Sequence, residues 1–76
     1  MDVNKLKGKM IEKSYTQKKM AKELGITEQS LNAKMNSRSQ FTLKEVVEIV
    51  SILEIDDPVE IFFNKKIPNM QQKNVS

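Results

Sequence analysis

Three threonines constrain this chain more than any other feature. Thr16, Thr27 and Thr42 each follow an apolar residue (Tyr15, Ile26, Phe41) and stand four residues before another (Met20, Leu31, Val46). A threonine oxygen can accept a hydrogen bond from one of the unpaired N–H groups that open a helix. The flanking apolar pair has the spacing of a hydrophobic staple, which fixes the angle at which the chain enters. Glu45, at the third helical position after Thr42, completes a capping box. The spacing therefore predicts helices beginning at Gln17, Glu28 and Leu43.

The remaining elements follow from periodicity. A helix from about Asn4 to Lys13 carries Val3, Leu6 and Met10 on one face, with Gly8 as its weak point. The second helix, Gln17 to Leu24, presents Met20, Ala21 and Leu24 and stops at Gly25, which suits a left-handed end. The third, Glu28 to about Met35, presents Leu31 and Met35. The fourth, Leu43 to Leu53, is apolar through Val46, Val47, Ile49, Val50, Ile52 and Leu53, and so is expected at the centre of the core. A short fifth helix has Asp57 as cap, Pro58 at its first position and Glu60 at its third. The expected class is all-α. Residues 1–64 form one domain, and residues 65–76, polar with Pro68 and several Asn and Gln, form a loose tail. Met10, Met20 and Met35 are at core spacing and fill gaps there.

With 76 residues the chain has room for one small domain. It has no Cys and no His, hence no thiolate nucleophile, no zinc knuckle and no imidazole base. No nucleophile–base spacing stands out either, so neither an enzyme nor a cofactor or metal site is expected. No apolar run approaches the ~18 residues of a membrane span. The start, Met1-Asp2-Val3-Asn4-Lys5, lacks the apolar stretch of a secretory signal, so a soluble cytoplasmic protein is expected. The net charge is +3 but unevenly placed. Residues 1–44 hold ten cations against four acids, a net of +6, and the remainder is −3. A basic front favours an anionic partner, nucleic acid first.

Thr16 to Asn36 reads as two short helices joined by the tight turn Gly25-Ile26-Thr27, a helix-turn-helix arrangement. Ala21 lets the two backbones approach, and Ile26 and Leu31 plug the space between them. The stretches "YTQKKMAKELGITEQSLNAKMN" and "FTLKEVVEIVSILEI", closed by "IFF", resemble the small Cro/CI-type (XRE) helix-turn-helix domains of phage repressors. The resemblance covers residues 4–63. It implies a compact five-helix, lambda-repressor-like domain that binds operator DNA as a dimer in a bacterial host cell. Two positions depart from the family pattern. Many members carry an apolar residue three positions after the equivalent of Leu31, where this chain has Lys34 followed by Met35. The family's usual Asn-Gly-Lys is Asn36-Ser37-Arg38.

In such a domain the start of the third helix lies near base edges in the major groove. Its outward residues would be Glu28, Gln29, Ser30, Asn32, Ala33 and Lys34. Gln29 and Asn32 can pair bidentately with adenine, Glu28 can accept from cytosine N4, and Ala33 can touch a thymine methyl. Lys34 can reach guanine or a phosphate. The phosphate set would be Gln17, Lys18, Thr27, Arg38, Ser39 and Gln40, with Lys19 and Lys44 contributing at longer range. Lys5, Lys7 and Lys9 read as solubility charges. Ile61, Phe62 and Phe63 are more apolar surface than one short turn can easily bury; the cluster either closes the C-terminal end of the core, the favoured reading, or lends part of its surface to a second copy in a homodimer. The alternative is a small partner that modulates another repressor by protein contact, with little DNA affinity of its own.

Overall fold

A computed structural model describes residues 1–63; the tail assigned from sequence to residues 65–76 lies outside them. The described residues fold into α1 (Val3–Glu12), α2 (Gln17–Leu24), α3 (Glu28–Met35), α4 (Leu43–Leu53) and α5 (Val59–Phe63), a single wider π-helical turn. No strand occurs among them. The three threonine starts are as the spacing predicts. The Oγ1 atoms of Thr16, Thr27 and Thr42 accept from the N–H groups of Lys19, Ser30 and Glu45 at 3.0–3.1 Å. Glu45 Oε1 accepts from Thr42 N–H at 2.9 Å, closing the capping box. The first helix begins one residue earlier than its periodicity indicates because Asp2 caps it, accepting from Lys5 N–H at 3.2 Å. Asp2 N–H donates to the Ile61 carbonyl at 2.7 Å, which ties the two ends of the domain together. Asp57 caps α5 as expected, accepting from Glu60 N–H at 3.3 Å.

The helix ends share one device. Ser14, Gly25, Ser37 and Glu54 all adopt the left-handed conformation, with φ between 53° and 73°. The next residue donates back to the helix in each case: Tyr15 to Met10, Ile26 to Ala21, Arg38 to Ala33 and Ile55 to Val50, at 2.7–3.0 Å. This six-residue closure satisfies carbonyls that a helix end leaves free. Only one of the four stops is the glycine that the geometry favours. A serine at positive φ carries a Cβ penalty, partly offset by its smaller unfolded-state entropy. Ser37→Gly is therefore expected to stabilise the domain by about 0.5–1 kcal/mol. A urea midpoint that stays put or falls would refute this account of the turn.

The core joins all five elements through Leu6, Met10, Met20, Ala21, Leu31, Met35, Ile49, Leu53, Ile55 and Ile61. The three core methionines are buried as their spacing indicates. α2 packs on α3 and α4, and α1 on α5. α4 is central to the core as expected, through Val46, Ile49 and Leu53, but its apolar run is not core at every position: Val47 is 59% and Leu43 74% exposed, because their four-residue spacing sets them on the opposite face. Nor is the closing cluster equivalent throughout. Ile61 is buried in the core, Phe62 is half-buried with its ring edge-on to Phe41 (centroids 6.0 Å, planes 89°), and Phe63 is exposed. Ile61 therefore cannot belong to a surface for a second copy.

Candidate nucleic-acid interface

The turn between α2 and α3 is set by Gly25, at φ 73°, and by Thr27, whose hydroxyl caps α3. The result is a short polar helix, seated through Leu31 and Met35, whose first turn stands clear of the core. Thr27, Glu28 and Gln29 are exposed, and Ser30 and Ala33 are half-buried. With its oxygen engaged as a cap, the Thr27 hydroxyl retains its proton for a further acceptor.

Two residues of the outward set are engaged inside the protein. Lys34 turns toward α4, and its Nζ contacts both carboxylate oxygens of Glu45, at 2.6 and 2.7 Å. The two side chains are only 11% and 10% exposed. This position follows Leu31 by three residues, so it faces inward, as the apolar residue of the resembling family would. Lys34 is therefore not available to a base or phosphate while the pair stands. Burial pushes the Glu45 carboxyl up, but the Lys34 hydrogen bonds, the Thr42 N–H and the Lys34 charge outweigh it and hold it below the usual value. Asn32 is the second. Its Nδ2 donates to Gln17 Oε1 at 3.5 Å, and its Oδ1 accepts from Asn36 Nδ2 at 3.0 Å and Arg38 Nη2 at 3.2 Å. Gln17, Asn32 and Arg38, spread over α2, α3 and the following loop, are thus brought together.

The other phosphate candidates lie around this group. Lys18 is exposed on the first turn of α2. Lys19 sits with its Nζ 4.6 Å from the centre of the Tyr15 ring. Ser39 and Gln40 are exposed and line a groove of about 370 Å³ shared with Phe41, Phe62 and Phe63. Lys44 is exposed at the start of α4.

Ion pairing divides the cations. Lys5 pairs with Glu60, Lys9 with Glu12, Lys13 with Glu54 and Lys34 with Glu45. The Glu54 carboxyl is lowered and the Lys13 amine raised, each first by the hydrogen bond between them and then by the partner's charge. Lys18, Lys19, Lys22, Arg38 and Lys44 have no acid within 4 Å among the described residues. Lys5 and Lys9 on α1 and Lys13 just after it are thus tied to acids, leaving Lys7 as the unpaired cation of α1, while the cations on α2, after α3 and at the start of α4 are not paired among the described residues. The capping signals disclose the α2–α3 unit, but two features of the site escaped the sequence reading. One is the Lys34–Glu45 pair, for which the inward spacing of Lys34 was a usable signal. The other is the Asn32 group, where the four-residue spacing to Asn36 was a local signal but the link to Gln17, 15 positions away, was not.

No helix among the described residues is long and apolar enough to cross a membrane. A comparison with curated proteins returns no match. A family model matches residues 1–65, the stretch that contains all five helices, and the chain belongs to the family described as "Protein of unknown function (DUF739)".

Proposed function

We propose that this protein is a sequence-specific DNA-binding transcriptional regulator of phage-repressor type, acting as a dimer on an operator. The observation that carries the reading is the α2–α3 unit: an exposed, polar first turn of α3 beside cations that no acid neutralises among the described residues. The resemblance of residues 4–63 to Cro/CI-type domains supports it. In this reading α3 enters the major groove. Gln29 and Ser30 are the principal base contacts, with Glu28 and Ala33 beside them. Gln17, Lys18, Thr27, Arg38, Ser39 and Gln40 meet the backbone, and the N-terminus of α2 offers its N–H groups to a phosphate. The exposed apolar residues are Ile11, Leu43, Val47, Val59 and Phe63; of these Phe63, in the closing cluster with the half-buried Phe62, is the one we assign to a second copy, with Leu43 and Val47 as further apolar surface.

Fluorescence anisotropy with duplexes selected from a random pool, titrated at several salt concentrations, tests the reading. Affinity should fall linearly on a log–log plot as counterions are released. Arg38→Ala should weaken every sequence alike and make the slope shallower by about 0.9, one phosphate's worth. A folded protein that retards no duplex specifically would overturn the proposal. That outcome would favour the second reading, a protein-interaction module that modulates another repressor. Glu28 in the exposed first turn of α3, an anion where phosphates would lie, and the exposed Leu43, Val47 and Phe63 support that alternative.

A further inference from the structure

We infer that Asn32 is a positioning residue that presets Gln17 and Arg38 for phosphate contact and does not itself read a base. The inference rests on the DNA-binding reading above. Hydrogen-bond capacity carries the first part. The Arg38 guanidinium and the Asn36 amide nitrogen can only donate, so the oxygen of Asn32 must face them, and its NH2 is left for Gln17. Reading adenine bidentately needs one donor and one acceptor of the same amide on the base edge. Here the acceptor already serves two donors. The Asn36 amide, which also donates to the Asn32 carbonyl at 3.0 Å, braces it further. Asn32 would have to abandon this set to meet a base.

The helix ends carry the second part. At three of the four left-handed stops the residue that follows is apolar and packs on the core: Tyr15, Ile26 and Ile55. At the α3 stop that residue is Arg38, which is exposed. A long side chain without that anchorage samples many rotamers, and binding must then immobilise it. The Asn32 oxygen supplies the missing anchor. The same amide reaches the start of α2 through Gln17, so one side chain on α3 orients groups from two other segments. Base reading is left to Gln29 and Ser30, closer to the start of α3.

Selection from a random duplex pool, followed by anisotropy at several salt concentrations, tests this on the full chain. Asn32→Ala should select the same consensus as the unsubstituted protein, bind every sequence about tenfold more weakly, and show a salt slope shallower by up to about 0.9. Arg38→Ala should give a similar loss, and the double variant should lose less than the sum of the two. A change of preference at one or two base pairs in Asn32→Ala would show that Asn32 reads a base and overturn the inference, as would strictly additive losses. Should circular dichroism show that Asn32→Ala is unfolded, the cycle is read between Gln17→Ala and Arg38→Ala. These are expected to couple because Asn32 joins them, and additivity there overturns the inference equally. If the unsubstituted protein selects no sequence at all, the DNA-binding reading fails, and the inference with it.

Discussion

Glu45→Ala is expected to destabilise the domain by about 3 kcal/mol, the usual cost of removing one member of a largely buried ion pair. Two losses combine. Lys34 is left as a cation nearly nine-tenths removed from water with no partner, and Thr42 N–H loses its acceptor. A core of this size gives only about 3–5 kcal/mol in total, so the variant should be largely unfolded at modest temperature. For a domain of this length the melting point should fall by roughly 15 °C. Lys34→Met with Glu45→Gln should recover most of the loss. A glutamine oxygen can still accept from Thr42 N–H, and methionine leaves no buried charge. Thermal and urea denaturation of the three proteins decide the matter. A double variant no better than Glu45→Ala, although it keeps the capping bond, would mean that the attraction between Lys34 and Glu45 carries the stability and that the stranded Lys34 charge is not what makes Glu45→Ala costly. The pH dependence has a definite sign. The folded Glu45 carboxyl is depressed, so its contribution is present above the unfolded value of about 4.3 and is lost as pH falls through the folded one. Acid denaturation of the parent should therefore contain a component that Lys34→Met/Glu45→Gln lacks.

The second large effect concerns specificity. Gln29→Ala is expected to leave folding unchanged, because the side chain is exposed and makes no hydrogen bond among the described residues. It should reduce discrimination at one base pair by about 2 kcal/mol, roughly thirtyfold, the worth of a bidentate side chain–base contact. Ser30→Ala should have a smaller effect at an adjacent position. The measurement is the ratio of affinities for the selected duplex and for the same duplex changed at a single pair. Equal losses on both duplexes would reassign Gln29 to the backbone-contacting set. The contrast with Arg38→Ala is the informative comparison: one variant should change which sequences are preferred, the other only how tightly all are held.

Capping chemistry made most of this fold legible. Thr16, Thr27 and Thr42 mark their helices because a cap acts within four residues, a range that sequence displays directly. α2, α3 and α4 accordingly run between the residues the pattern indicates. The start of α1 lies one residue before the point its apolar periodicity indicates, because Asp2, three residues before the N–H it accepts from, caps the helix and periodicity does not register a cap. The exposure of Val47 was hidden by composition: a helix rich in Val, Ile and Leu looks buried on every side until its neighbours are known. Ile55 joins the core only because Glu54 turns left-handed, and nothing about a glutamate announces that conformation. For the candidate site, local pattern identified which helix is short, polar and presented. It did not separate free side chains from engaged ones. Lys34 and Asn32 look like surface residues in a string of letters; the partner of Lys34 lies 11 positions away, and Asn32, besides its near partners Asn36 and Arg38, reaches Gln17 at 15.

The pairing of Lys5 and Lys9 on α1, and of Lys13 after it, with acids has an effect at long range. Setting aside the four ion pairs, the cations left among the described residues are Lys7, Lys18, Lys19, Lys22, Arg38 and Lys44. All six belong to residues 1–44, where Asp2, Glu23 and Glu28 also remain, a net of +3, whereas Glu48, Asp56 and Asp57 leave −3 on residues 45–63. The described residues therefore carry a separation of charge along the chain that their summed charge does not reveal. A polyanion exerts a torque on such separated charge at separations of about a Debye length, roughly 8–10 Å, before any side chain touches. The protein should arrive already turned to present α2 and the start of α4, and added salt should slow that oriented approach as well as weaken the bound state.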